Sequence, residues 1–403
     1  VNAANRYDRY DSNSLFETNV IFIKKYERRT MMNYKNTWQT DLEEYIRQGE
    51  PEQSEKSIAW KTAIGLQDVD GLKTSEYLLE TAKEHIEGKI DISTAQERIS
   101  NYYEVRTDRK NIENDTKEAD IVSTRITQLL SEKAFQFSPA ELFLIHKRLF
   151  TGVFKHAGEI RSYNISKKEW VLKGDSVFYA SFESIKDTLD YDFNQEKAFS
   201  YEGLTIQKAI EHISDFTAGI WQIHPFCEGN TRTTAVFILK YLSTFGFSLS
   251  NSVFAKNSWY FRNALVRANY NNLQKGISST TKYLNLFFEN LLLNANHDLK
   301  NRYLHIDYNK NFQSATYEIS KCQNDTFEKE NGTLELSLED LVIIKALKEN
   351  PQITQKDLAV KVGKSERSIK RKTVLLQEKG FIKRESGKRN GKWIVLIDNS
   401  KTN

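Results

Sequence analysis

The chain has 403 residues, 39% of them hydrophobic and 28% charged, with a formal net charge of +4. That length exceeds a single hydrophobic core and predicts two or three domains. No apolar run approaches the roughly 18 residues of a membrane span, so a transmembrane protein is excluded and a cytoplasmic location is expected. Two cysteines, Cys227 and Cys322, cannot build a disulfide framework, and four prolines with 17 glycines exclude collagen-like and Pro-rich classes.

The first residue is Val1, and the only methionines, Met31 and Met32, stand just before helical, acidic sequence. Residues 1–30 therefore have two readings: an upstream extension, with translation starting at the methionine pair, or a genuine N-terminal arm. Their apolar run at 20–23 is too short for a secretory core, and no function is assigned to them. Residues 57–103 predict two helical stretches joined at Gly71 and Gly88.

Between 204 and 223, Ile206, Ile210, Ile213, Phe216, Ile220 and Trp221 recur at helical spacing. The pattern breaks at His224-Pro-Phe-Cys-Glu-Gly-Asn-Thr-Arg232 and resumes as a helix that is apolar nearly all round. A polar, Gly-containing loop between two buried helices has the parts of a polyphosphate site. A helix starting near Asn230 or Thr231 offers unpaired N–H groups and a positive dipole end, and Gly229 lets backbone approach an anion. Arg232 can give forked hydrogen bonds to phosphates, Glu228 is a hard oxygen ligand suited to Mg²⁺, and Asn230 is a neutral donor. His224, just upstream, titrates in the range needed to remove a hydroxyl proton.

This loop resembles the motif of the Fic family, His-x-Phe-x-Asp/Glu-Gly-Asn-Gly-Arg-x-x-Arg, matched in register by His224, Phe226, Glu228, Gly229, Asn230 and Arg232. The resemblance extends over about residues 106–298. Residues 157–166 look like the family's lead into a β-hairpin flap, and 170–179 would be that flap, which aligns a target by strand addition. Residues 262–270 lie on the helix expected near the nucleotide base, giving Asn263 and Tyr270 as base-pocket candidates. The resemblance implies transfer of AMP from ATP to a hydroxyl of a target protein, or of the chain itself, with 19 tyrosines among the acceptors on offer. In that reading His224 is the general base, Glu228 holds Mg²⁺, Asn230 steadies the α-phosphate, Gly229, Thr231 and Arg232 bind phosphates, and Phe226 anchors the core.

Two departures bear on the donor. Thr231 stands where the motif has its second Gly, and Ala235 where it has its final Arg. A lost charged hydrogen bond, worth about 1.5 to 3 kcal/mol, weakens a triphosphate contact. Reduced activity, another nucleotide donor, or compensation by Arg262 or Arg267 all follow. Cys227, inside the loop, is expected to be packed and inert. Residues 59–71 resemble the inhibitory-helix region that precedes many Fic domains, but Leu66, Asp70 and Gly71 occupy its signature positions. With both halves of that lock changed, the segment is expected to serve packing; the alternative is that Asp70 pairs with Arg232.

The charge is concentrated near the end: residues 351–396 carry 13 Lys plus Arg against 4 Asp plus Glu, leaving the rest of the chain net acidic. Helical spacing from 338 stops at Asn350-Pro351, Thr354 and Asp357 fit a capping pattern, and Gly363 ends a second helix. Ser365 caps a third helix with Ile369 and Leu376 inward and Arg367, Lys370 and Arg371 outward. Two strands follow around a basic turn with Lys388, Arg389 and Lys392. This resembles a winged helix-turn-helix domain, which implies a recognition helix in DNA with wing cations near phosphates.

The expected fold is therefore mainly α: a Fic-type helical core with a small β-hairpin flap, plus a C-terminal winged helix-turn-helix. The expected parts are an extension or arm (1–30), an inhibitory-like helical segment (31–105), a Fic catalytic domain (106–300), a linker (301–333) and the winged helix (334–398). Protein adenylyl transfer is the first reading of function, with ATP, Mg²⁺ and a protein hydroxyl as partners and the oligomeric state open. The rival is a DNA-binding regulator whose Fic core senses nucleotide; Thr231 and Ala235 favour it, whereas His224 favours the enzyme.

Overall fold

A computed structural model describes residues 43–46, 49–104, 114–247, 253–308, 338–385 and 391–396. The chain divides into two units, Val1–Ser57 and Ile58–Asn403. In the first, the described residues form a helical turn at 43–46 and the opening turns of helix α1 (Pro51–Gly65). The remainder of α1 belongs to the second unit and runs into a 3-10 turn, Leu66–Asp70. Gly65 has no side chain because Ala255 leaves no room: a Cβ there would lie 2.3 Å from its Cα. Instead of two helical stretches, three helices meet near Gly71 and Gly88: α1, α2 (Glu76–Ile86) and α3 (Ile92–Glu104). Ser75 makes the extra break by capping α2, its hydroxyl accepting from the Leu78 N–H at 3.1 Å.

The central core is built from α4 (Asn114–Ser131), α5 (Pro139–Phe150), α6 (Ile185–Ala198), α7 (Ile206–Ile223), α8 (Asn230–Thr244), α9 (Val253–Ala268) and α10 (Lys282–Leu293). The α7 stripe is buried as its spacing predicts: Ile210, Ile213, Phe216, Ile220 and Trp221 face inward, with Ile206 half-buried. Each large apolar side chain so buried contributes about 1.5 to 3 kcal/mol of transfer free energy. Every residue of α8 from Asn230 to Leu242 is buried, so this helix runs through the middle of the core with its N-terminus at the motif loop. No helix among the described residues is long and apolar enough to cross a membrane.

Near the end, α11 (Leu338–Glu349), α12 (Gln355–Val362) and α13 (Glu366–Glu378) precede β1 (Ile382–Glu385) and β2 (Lys392–Val395). The strands are antiparallel, with Ile382 opposite Val395 and Arg384 opposite Trp393. The Thr354 hydroxyl accepts from the Asp357 N–H at 3.1 Å and donates to its carboxylate at 2.7 Å, so the acid completes the cap. This is the one sheet among the described residues, and the expected flap hairpin is not a second. At 170–172 the chain makes a 3-10 turn that buries Val171 and Leu172 side by side, which the two-residue alternation of a strand forbids. Lys173 then takes a left-handed conformation and Glu169 N–H donates to Asp175 O at 2.9 Å, closing a tight loop. The start at Met31 or Met32, the arm at 1–30, most of the linker, and Cys322 lie outside the described residues.

Candidate functional site

Helix α7 ends at His224, which adopts a left-handed backbone (φ 50°, ψ 59°) rare for a residue with a side chain. Arg161, itself buried, holds it there. Its Nε donates to His224 O at 2.8 Å and Nη2 to Ile223 O at 3.3 Å, while its other donors reach Tyr163 O and Ala180 O. Four carbonyls thus take the place of a carboxylate around this guanidinium, whose pKa burial lowers. The His224 ring lies with Nδ1 3.1 Å from Trp221 O. A carbonyl only accepts, so Nδ1 carries the proton and Nε2 the lone pair. Nε2 is buried and has no hydrogen-bond partner among the described residues. Burial, then the positive charge of Lys167, drives the His224 pKa well below its ordinary value, with Arg161 and Arg262 adding to the effect. The neutral ring lies 4.3 Å from that of Tyr179, between centroids.

The loop after His224 is clamped from behind. Phe226 is buried and stacks on His146 at 3.7 Å and 10°. Gly158 N–H donates to Nδ1 of His146 at 2.8 Å, so its Nε2 carries the proton and donates to Glu228 O at 3.0 Å. Burial pushes the His146 pKa down to about 4, keeping it neutral in that bridging role. Asn230 closes the loop from the other side: its Oδ1 accepts from Phe226 N–H at 3.0 Å and its Nδ2 donates to Phe226 O at 2.7 Å. Both its heteroatoms are engaged by backbone, leaving one amide hydrogen for an anion. Gly229 has φ 73°, and a Cβ on it would lie 2.4 Å from the Phe150 ring, so no other residue fits. No side chain caps α8, which leaves its first N–H groups open to an anion. Glu228 is exposed beside this cradle. Among the described residues no group of three or more His, Cys, Asp or Glu is placed to hold a metal, so a cation here would take one protein carboxylate and draw its other oxygens from phosphates.

Arg232 is almost wholly buried and held by three side chains. Nη1 donates to Gln67 Oε1 at 3.1 Å and Nη2 to Glu118 Oε1 at 2.6 Å. Its Nε lies 2.8 Å from Asp70 Oδ2, but its N–H does not point along that line, so this contact is ionic without being a hydrogen bond. The 3-10 turn of residues 66–70 is therefore more than packing, and the alternative of an Asp70–Arg232 pair is the one observed. Thr231 uses its hydroxyl to accept from Trp221 Nε1 at 3.0 Å, which ties the start of α8 to the end of α7. Ala235 is fully buried.

Arg262 forms a two-pronged pair with Glu169, at 2.6 and 3.0 Å. Arg267 is buried near Tyr283 and Tyr270, and it is not among the charges acting on His224. Lys167 is: it is half-buried, and burial lowers its pKa while Asp70, Glu169 and Glu228 act to raise it. Of the base-pocket candidates, Asn263 is fully buried and donates to Asn301 Oδ1 at 2.7 Å. Tyr270 donates to Asp175 Oδ2 at 2.6 Å, joining the residues just after α9 to the loop at 169–175. Trp170 in that loop and Phe178 beyond it are exposed large apolar residues.

Arg367, Lys370 and Arg371 are exposed along α13, opposite the buried Ile369, Thr373 and Leu376. Lys370 also pairs with Glu366 at 2.7 Å, one turn back. Lys388 and Arg389 lie outside the described residues.

Residues 136–242 match the Fic/DOC family, and residues 340–383 match the winged helix-turn-helix DNA-binding family. The chain thus carries a Fic/DOC domain in its middle and a winged helix-turn-helix domain near its end. Among solved structures it is similar to the N-terminal Fic domain of the Bep8 effector protein from Bartonella sp. 1-1C, with 18% identity over 46% of this chain and 88% of that one, and a TM-score of 0.35. It is likewise similar to the N-terminal Fic domain of a Bartonella effector protein from Bartonella sp. AR 15-3, with 19% identity over 46% and 85% of the two chains and a TM-score of 0.35. No curated protein matches.

Proposed function

We propose that the Fic/DOC domain transfers AMP from ATP to a hydroxyl side chain of a protein, releasing pyrophosphate. The observation that carries this reading is the unpartnered Nε2 of a neutral His224, fixed one short loop from the uncapped N-terminus of α8. A lone pair presented beside an anion cradle is what proton removal from a hydroxyl next to a phosphate requires. As the hydroxyl oxygen attacks the α-phosphorus, Nε2 takes its proton, the new P–O bond forms, and the bond to pyrophosphate breaks. The N–H groups of the first α8 turn and the remaining amide hydrogen of Asn230 would receive the developing charge. Mg²⁺ held by Glu228 and the phosphates would neutralise the leaving pyrophosphate. The exposed Phe178 and Trp170 offer apolar surface against which a target segment can lie.

A second reading has a specific observation behind it. Arg232 is occupied by Asp70, Glu118 and Gln67, and Ala235 adds no charge, so the phosphate end of the site is weaker than its motif suggests. That favours a nucleotide-responsive DNA-binding regulator, read through the exposed cations of α13. The purified full chain, incubated with Mg²⁺ and each nucleoside triphosphate in turn beside His224→Ala, separates the two readings by intact mass. A nucleotide adduct that requires His224 supports transfer and identifies the donor. Nucleotide binding without an adduct, also in Asp70→Ala, moves the assignment to the regulator.

A further inference from the structure

The last turn of α9 holds a second buried guanidinium that the motif does not use. Arg267 is 7% exposed, and its Nε and Nη1 have no hydrogen-bond partner among the described residues. A buried cation normally sits on a carboxylate or a ring of carbonyls, as Arg161 does, because leaving it unpaired costs several kcal/mol. No carboxylate plays that part for Arg267: the groups that act on it are the phenols of Tyr283 and Tyr270. Both phenols have committed their protons elsewhere, Tyr283 to Tyr303 O at 2.9 Å and Tyr270 to Asp175. Neither accepts a hydrogen bond from the guanidinium.

Arg267 lies close to the start of α10, where its charge acts on Tyr283 and Lys282. Thr280 N–H donates to Arg267 O at 3.1 Å, bringing the two segments together. Tyr283 is the second residue of α10, and Lys282 is the first. Thr281, at the cap position, gives no side-chain hydrogen bond to the first turn; the Thr280 hydroxyl accepts from Lys282 N–H at 3.4 Å, and the next N–H groups at the positive end of this twelve-residue helix have no side-chain cap. The Lys282 ammonium lies 4.8 Å above the Tyr283 ring. Burial lowers its pKa, and the charge of Arg267 lowers it further. Two desolvated cations and a helix N-terminus converge, and among the described residues no opposing charge acts on either cation.

We infer that Arg267, Lys282 and the N-terminus of α10 form a binding site for a phosphate-class oxyanion, separate from the motif loop. The orphaned donors of the guanidinium call for oxygen acceptors. Two full charges and a helix dipole match a dianion better than a carboxylate, which selects phosphate chemistry. The site does not depend on the transfer reading, and the charges that act on His224 do not include Arg267.

The test is isothermal titration of the full chain with inorganic phosphate, and separately with O-phosphoserine, each at constant ionic strength set with sodium chloride. Saturable binding is expected, weakened about ten-fold or more in Arg267→Met and several-fold in Lys282→Ala, as loss of a charged hydrogen bond predicts. Arg232→Ala is expected to retain it. Binding of inorganic phosphate alone identifies the free ion as the ligand class, and binding of O-phosphoserine alone identifies a phosphorylated side chain. The inference is overturned if neither probe binds the parent chain, if binding is lost in Arg232→Ala but kept in Arg267→Met, or if Lys282→Ala binds as the parent does. The last comparison decides the matter should Arg267→Met fail to fold.

Discussion

Asp70 Oδ2 lies 2.8 Å from Nε of Arg232, across a sequence separation that joins the turn after α1 to the first turn of α8. Glu118 of α4 and Gln67 of the same turn hold the other two nitrogens. If a triphosphate reaches this arginine, these contacts compete with it for one side chain. The arrangement differs from the one its sequence position resembles, since the acids meet the first motif arginine and one of them comes from α4. Asp70→Ala alone leaves Glu118 in place, and the double variant Asp70→Ala/Glu118→Ala releases the guanidinium. The expected result is a modest rise in nucleotide affinity and modification for the single variant and a rise of about ten-fold or more for the double, the worth of a charged hydrogen bond regained. Calorimetry with ATP and intact-mass kinetics measure both; an unchanged double variant would show that Arg232 has no phosphate to reach.

His224 predicts a pH profile. Burial first, then Lys167, then Arg161 and Arg262, lower its pKa, so the ring stays neutral and basic well below pH 6.5. Transfer activity should therefore be flat from neutral pH down past 6.5, with its acid limb lower than an ordinary histidine would give. Arg161→Gln removes one of the lowering charges and should move that limb upward, while loosening the left-handed turn that aims the ring. His224→Ala should cost about 10² to 10⁴ in rate. A pH–rate series on the three proteins checks all of this, and an acid limb unmoved by Arg161→Gln counts against the electrostatic part.

How much of this is legible in the sequence follows the range of the interactions. Caps such as Ser365, whose hydroxyl accepts from Ser368 N–H at 3.2 Å, and Thr354 with Asp357 are made within three residues, and the sequence carries them whole. The α7 stripe and the Gly229 break before α8 are periodic or local signals as well. Arg161, His146 and Glu118 meet His224, Glu228 and Arg232 across 63, 82 and 114 residues, and nothing in a single sequence marks such pairs. His146 does leave a trace, as a lone histidine within the apolar run of α5. Asn230 stands at the loop as its motif position implies, but the sequence does not show that its amide also closes on the Phe226 backbone, leaving one amide hydrogen. The residues flanking 170–179 suggest a hairpin; the Arg262–Glu169 pair and the paired burial of Val171 and Leu172 make the segment begin as a turn instead.

Asp120 should make stability depend on pH in an unusual direction. Its carboxylate accepts from Ser75 N–H at 2.9 Å, from the Ser75 hydroxyl, and from Tyr103 O–H at 2.7 Å, stapling α2, α3 and α4 together. Burial outweighs these bonds and raises its pKa to about 6. Because the folded value lies above the unfolded one, the folded state binds this proton more tightly. The contribution is complete below about pH 4 and is lost as pH rises through 6. A carboxyl held that far above its ordinary range contributes roughly 3 kcal/mol at most. Asp120→Asn, neutral at every pH, should flatten the stability curve between pH 4 and 6 and be no less stable than the parent at pH 7. Urea unfolding at several pH values measures it; a variant destabilised at pH 7 by as much as at pH 4 would mean that the hydrogen bonds, not burial, dominate.

The winged helix makes a prediction that can be read without knowing a DNA sequence. Arg367, Lys370 and Arg371 are exposed on one side of α13, while Ile369, Thr373 and Leu376 fix the other side in the core, so the cations are held on a rigid face. If that face meets a duplex, each phosphate it neutralises releases counterions, and the logarithm of affinity falls with the logarithm of salt by about 0.9 per contact. Arg371→Ala should lower this slope by about one contact and weaken binding at low salt for every sequence alike. Lys370 already shares charge with Glu366, so Lys370→Ala should change the slope less than Arg371→Ala does. Fluorescence anisotropy of a labelled random duplex over 50 to 200 mM salt, roughly the range where such slopes are steep, gives the three values. A slope that none of these substitutions alters would leave α13 as a surface for protein rather than for DNA.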